Sequence, residues 1–220
     1  MRLFMLPGLG ANWRLFQYQL SDLEAIQVPE WLEPEAEESL QDYSRRWVKE
    51  LNPQPGDAVG GMSFGGQVAL EMAQCFPFRC VLLIAANRRS AEISSTFRFQ
   101  TRLLQGLPES VVRTSLKTIA IPKLKKEENL QDEQVKVLET MVDEMDFPFF
   151  RWSSRAAATW EHEFEPEKFS MPIHQLHGQG DSIIKLSDPS EAEVWSDAGH
   201  LLNFTHSQRV NEWIKLKLNA

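Results

Sequence analysis

Gly61-Met62-Ser63-Phe64-Gly65 decides how this chain is read. A short apolar run, Asp57-Ala58-Val59-Gly60, leads into it. A helix-like segment, Gln67 to Cys75, leads out, with Val68, Leu70, Met72 and Ala73 as its apolar members. In that context G-x-S-x-G puts a serine on a sharp strand-to-helix turn and pushes its hydroxyl clear of the backbone. Small residues flank it because strand and helix pass too close for bulk, and Gly66 extends the narrow side. Such a serine is a nucleophile only if a base and an orienting acid reach it.

Working outward, the chain reads as strands and helices in alternation. Leu3–Leu6 is a brief apolar run ending at Pro7-Gly8-Leu9-Gly10, a strand entering a tight loop. Asn12 is a helix cap, and Trp13, Phe16, Gln17 and Leu20 follow on one side at helical spacing. Ala25–Val28 is a second short strand. Ser39 to Leu51 is a helix with Leu40, Tyr43, Trp47 and Leu51 inward, broken by Asn52-Pro53. Cys80–Ala86 is nearly continuous apolar sequence, the mark of a strand covered on both faces. From Ser90 to Trp160 no strand pattern occurs. Val112, Leu116 and Ile119 keep helical spacing, as do Val135, Leu138, Met141 and Met145, and Arg151–Trp160 is a further helix. Strands resume at Ile173–His177 and Ala192–Trp195. A last helix starts near Ser207, with Val210, Trp213, Ile214 and Leu218 inward. The expected architecture is α/β: a mostly parallel sheet of about six strands with helices on both faces. Residues 1–89 and 161–220 form its core, and residues 90–160 are a helical insertion.

Composition narrows the partners. The 220 residues carry a formal net charge of −8, with acid concentrated in Glu30–Glu38 and Glu161–Glu167. That balance argues against nucleic acid and anionic membrane as partners. Lys123-Leu124-Lys125-Lys126 is the one basic cluster and reads as a solvated stretch. Cys75 and Cys80 are the only cysteines. They fit neither a metal-spaced set nor a disulfide framework, and both are expected to be buried. Met1–Leu6 is broken by Pro7 too soon for a signal peptide, and no apolar run approaches membrane-spanning length. A cytoplasmic location is expected.

Two more segments stand where strands should end: His177-Gly178-Gln179-Gly180-Asp181 and Asp197-Ala198-Gly199-His200. In an open parallel sheet the loops at the carboxyl ends of strands converge on one edge. Ser63, Asp181 and His200 can therefore meet across a long sequence distance. Asp188, Asp197 and Asn87 remain alternatives to Asp181 as the orienting acid. His174 and His177 should point to opposite faces of their strand, which disfavours a shared metal site. His177 reads as a turn-stabilising residue beside the acid, His162 as solvated between Glu161 and Glu163, and His206 as part of the approach to the last helix.

The order nucleophile, acid, histidine gives the chain a resemblance to the α/β-hydrolase family. Leu6-Pro7-Gly8-Leu9-Gly10 resembles the family's oxyanion loop and Gly61–Gly66 its nucleophile elbow. His177-Gly178 with Asp181, and Gly199-His200, resemble its two late signatures. The match spans residues 2 to about 218, apart from the insertion. The resemblance implies a Ser63–His200–Asp181 triad, with the backbone N–H groups of Leu9 and Phe64 as oxyanion donors. It implies neither metal nor cofactor. The implied substrate is a small, fairly apolar ester or thioester. It further implies that the insertion covers the site as a lid, with Phe97, Phe147, Phe150 and Trp152 as pocket candidates and Phe99 and Phe149 beside them. There are departures. Relatives often have histidine where Pro7 and Met62 stand. Larger members also carry two more strands before the oxyanion loop, which here begins at residue 7. The stretch between Asp181 and His200 is short, so the helix usual there is expected as a turn. A catalytically idle relative that binds a ligand or protein is the competing class. C–C cleavage, perhydrolysis, elimination and acyl transfer by the same triad also remain open.

Overall fold

The computed structural model describes residues 1–163 and 165–219. Among them are strands β1 (Leu3–Leu6), β2 (Ile26–Gln27), β3 (Ala58–Met62), β4 (Val81–Ile84), β5 (Ile173–Gly178) and β6 (Glu193–Trp195). They form one sheet in the order β2-β1-β3-β4-β5-β6, and every pairing is parallel. Burial explains the strand sequences. Every residue of β1, β3 and β4 is buried, because helices cover both faces. Leu3, Met5, Leu82 and Ile84 pack into one apolar cluster, and Phe4, Leu6, Val81 and Leu83 into the other. The pleat sends alternate side chains to opposite faces, so an unbroken apolar run serves two cores at once.

One face carries α2 (Leu40–Leu51) and α3 (Phe64–Cys75). Ser39 caps α2 by accepting from the Asp42 N–H, and Asn52 ends it in a left-handed conformation. Tyr43 and Trp47, 0% and 1% exposed, are the main anchors of α2, each contributing on the order of 2–3 kcal/mol of apolar burial. The other face carries α1 (Gln17–Leu20), entered through a 3-10 turn at Trp13–Phe16, together with α9 (Leu202–Thr205) and α10 (Ser207–Asn219). Between β4 and β5 the chain leaves the sheet. It forms α4 (Ser95–Gln105), α5 (Glu109–Ser115), a π-helical turn (Leu116–Ala120), α6 (Ile121–Glu128), α7 (Asp132–Glu144) and α8 (Phe147–Thr159). Among the described residues, no helix is long and apolar enough to cross a membrane.

Several side chains fall elsewhere than expected. Asn12 does cap the first turn, but Trp13 and Leu20 are exposed while Leu15, Phe16 and Gln19 are buried. The 3-10 turn advances about 120° per residue and α1 about 100°, so a single helical period misplaces the inner face. Ile119 is exposed because the π turn takes up an extra residue. Cys80 is buried, but Cys75 is exposed at the end of α3. His162 is buried, not solvated: its Nδ1 lies 3.0 Å from the Glu71 carboxylate and its ring stacks on Trp160.

Candidate active site

The site lies where the strand order reverses. From β1 the chain crosses to β2 on one side, and β3 lies on the other. The loops after β1 and β3 therefore diverge above the sheet and open a crevice between them. Pro7–Gly10 follows β1 and Ser63 follows β3. A Cβ on Gly8 would come within 3.5 Å of the Ser63 Cβ, so the two loops lie side by side.

Ser63 joins β3 to α3 with φ 55° and ψ −120°. A non-glycine residue in that region costs about 1–3 kcal/mol. Its glycine neighbours allow the turn. A Cβ on Gly61 would stand 2.2 Å from the Gly65 backbone, and one on Gly65 would stand 2.0 Å from the Leu6 oxygen. Phe64 begins α3, so its N–H is among those with no intrahelical acceptor. Leu9 and Phe64 both line the cavity beside Ser63.

Asp181 and His200 come from the turns after β5 and β6. They are 6% and 5% exposed. The His200 Nδ1 lies 2.8 Å from the Asp181 Oδ2. An ionised carboxylate only accepts, so Nδ1 donates to it, and in the neutral ring Nε2 is the nitrogen with the free lone pair. The other oxygen, Oδ1, accepts from the Ile183 and Ile184 N–H groups at 2.8 and 2.9 Å. Burial pushes the Asp181 carboxyl up. The charge and hydrogen bond of His200, with the Ile184 N–H and His177, outweigh it and hold the group below its ordinary value. His177 packs beside the acid, its Nε2 3.1 Å from the Ile184 carbonyl and 3.3 Å from Asp181. Burial pulls its imidazole below the ordinary range, with Asp181 opposing.

The other candidate acids are engaged elsewhere. Asp188 is exposed and caps a turn through the Ser190 N–H. Asp197 is exposed and pairs with Arg209. The Asn87 amide oxygen accepts from Gln67, although Asn87 does reach the cavity wall.

Ser63 and His200 open onto one cavity of about 560 Å³. The described part of its wall is largely apolar. The insertion supplies Leu116, Leu138, Met141, Met145 and Phe150, and Leu9, Ile184 and Leu201 face them. Of the pocket candidates, Phe97 and Phe150 are in that wall. Phe147 and Trp152 are not. Phe147 stacks on Phe150 and lies beneath the Arg151 guanidinium. Trp152 packs on Tyr43 with ring centres 4.5 Å apart. Positions two apart on a helix point about 200° from one another, so Phe150 and Trp152 cannot share a wall. The same rule leaves Phe99, two residues past Phe97, exposed. The methionines were visible in the sequence as an inner helical face, but nothing local said which space that face lines. Among the described residues, no group of three or more His, Cys, Asp or Glu side chains could hold a metal ion.

No family model matches the sequence, and no curated protein matches it. Solved structures do match the fold. A thermophilic esterase from Thermogutta terrifontis superimposes with a TM-score of 0.75 at 17% identity, covering 100% of this chain and 89% of that one. An esterase from Exiguobacterium antarcticum gives 0.76 at 13% identity, covering 100% and 92%. The enol-lactonase from Burkholderia xenovorans gives 0.73 at 14% identity, also covering 100% and 92%. The chain has the α/β-hydrolase fold.

Proposed function

We propose that the protein is a serine hydrolase that cleaves a carboxylic ester or thioester of a small, fairly apolar acid. One observation carries the reading: His200, oriented by a buried Asp181, opens onto the same apolar cavity as a serine held on a strained elbow. The similarity of fold to esterases and a lactonase agrees with it.

In this mechanism the acyl group lies against the methionine-rich wall with its carbonyl carbon over Ser63. The Ser63 Oγ attacks, and its proton passes to the His200 Nε2. Asp181 keeps the ring in the tautomer that can receive that proton and stabilises the imidazolium. The carbonyl oxygen becomes an oxyanion that accepts from the Phe64 and Leu9 N–H groups, each contributing roughly 3 kcal/mol in the transition state. The bond to the leaving group breaks as His200 returns the proton to it. A water, deprotonated by the same Nε2, then attacks the acyl-enzyme, and the acid leaves as that proton returns to the Ser63 Oγ. Residues 90–160 serve as a lid over this chemistry, and residues 1–89 and 161–220 as the catalytic core.

Hydrolysis of p-nitrophenyl esters and acyl thioesters of graded chain length tests the proposal. Turnover is expected for short and medium acyl groups and should vanish in Ser63→Ala. A folded wild-type protein inert to the whole series would favour a binding role.

A further inference from the structure

We propose that two adjacent carboxylates of the insertion, Glu127 and Glu128, hold the acid and histidine loops in register, and that Glu128 is a positioning residue for His200. The inference rests on the triad reading above and adds a control point to it.

Helix α6 ends at Glu128, and Asn129 turns the chain away in a left-handed conformation. From that end the two glutamates diverge. Glu128 Oε1 accepts from the His200 N–H at 2.5 Å, and its Oε2 accepts from the Leu201 N–H at 3.2 Å. Glu127 Oε2 accepts from the Ser182 hydroxyl at 2.8 Å, one residue past Asp181. The insertion thus grips the His200 backbone and the residue that follows Asp181, so each grip lies within one residue of the Asp181–His200 pair. A third carboxylate, Glu144 on α7, takes the Asn12 amide and the Arg14 guanidinium, just beyond the oxyanion loop.

Helix stability alone does not account for Glu128, whereas Glu127 also pairs with Lys123 one turn back, 3.7 Å away. The carboxyl end of a helix carries partial negative charge, so acid there is unfavourable. Lys125 and Lys126 already occupy the last turn as that dipole prefers. The histidine loop, in contrast, needs the acceptor. It leads into the short helix α9, whose N-cap, Leu201, has no side-chain capping bond. Glu128 supplies from outside the acceptors that such an end lacks. The fit is close: a Cβ on Gly199 would stand 2.4 Å from the Glu128 carboxylate. Glycine at 199 keeps the space the carboxylate occupies. Held by two backbone bonds, the loop fixes the imidazole in the plane that reaches both Asp181 and the cavity.

The full-length protein tests this through Glu128→Ala, Glu128→Gln, Gly199→Ala and the Glu128→Ala/Gly199→Ala pair. Expected for Glu128→Ala is a fall in kcat of about 10–100-fold, with KM within about twofold and a lowered but still cooperative thermal transition well above the assay temperature. Glu128→Gln, which keeps one acceptor, should recover part of the loss. Gly199→Ala should reproduce the loss with Glu128 intact, and the double variant should be no worse than either single one. Wild-type kcat in Glu128→Ala, or additive losses in the pair, would overturn the proposal. Proton NMR of the downfield His200 Nδ1–H reads positioning without turnover. That signal should be sharp in the wild type and broadened in Glu128→Ala and Gly199→Ala; unaltered signals would overturn the proposal. If the wild type proves inert to every ester, the hydrolase reading fails and the NMR result alone decides the clamp.

Discussion

Ser63 shows what a single residue demands of its neighbours. Its left-handed backbone is tolerated because Gly61 and Gly65 let strand and helix touch, with no room for one added carbon. Gly65→Ala should therefore destabilise the protein by about 3 kcal/mol or prevent folding; a urea midpoint equal to wild type would contradict the packing argument. At the other end of the proposed proton path, Asp181→Asn should lower kcat by about 10³–10⁴-fold with little change in KM. Asparagine can offer an N–H to the ring and favour the wrong tautomer. Unchanged kcat would remove Asp181 from the relay. At this scale the sequence was legible wherever a motif carries its own geometry, as at Gly61–Gly65. It was misleading where burial depends on distant partners. His162 sits between two glutamates and looks solvated, yet its partner Glu71 is 91 positions away and Trp160 covers its ring.

Among the elements, the strands were easier to read than the insertion. A strand buried on both faces declares itself by composition, as Val81–Ile84 does. A helix declares an inner face but not what that face meets. Helix α8 shows the difference: Phe150 lines the cavity while Trp152 packs on Tyr43. Two outcomes should follow. Phe150→Ala should enlarge the acyl space and move the preferred chain length upward in the p-nitrophenyl series. Trp152→Ala should cost about 3 kcal/mol of stability and leave that preference unchanged. A shifted optimum in Trp152→Ala alone would reverse the assignment of the two faces. The π turn at Leu116–Ala120 was not legible, because one inserted residue alters no local pattern.

Across the whole molecule, one sheet order places the loops after β1, β3, β5 and β6 along a single edge. That convergence was readable from the alternation of strands and helices; the position of the insertion's carboxylates was not. Two histidines of β5 link burial to acid stability. Burial pulls His177 below its ordinary 6.5, with Asp181 opposing, and burial likewise lowers His174, assisted by Lys217 and Arg88. For groups lowered on folding, their contribution is complete above the unfolded value and is lost as pH falls through the folded one. The histidine part should therefore begin to decline below about pH 6.5. The depressed carboxyl of Asp181 adds a loss of the same sign below its ordinary 3.8. Urea midpoints measured from pH 8 to pH 4 should fall on acidification, and less steeply in His177→Gln. A midpoint that rises between pH 7 and pH 5 would contradict the assignment.

The most direct measurement is intact and peptide mass analysis after exposure to a serine-directed fluorophosphonate. One adduct per chain is expected, located on Ser63, absent in Ser63→Ala and much slower in His200→Ala. A well-folded wild-type protein that takes up no label, or labels at an equal rate without His200, would contradict a nucleophile activated across these loops.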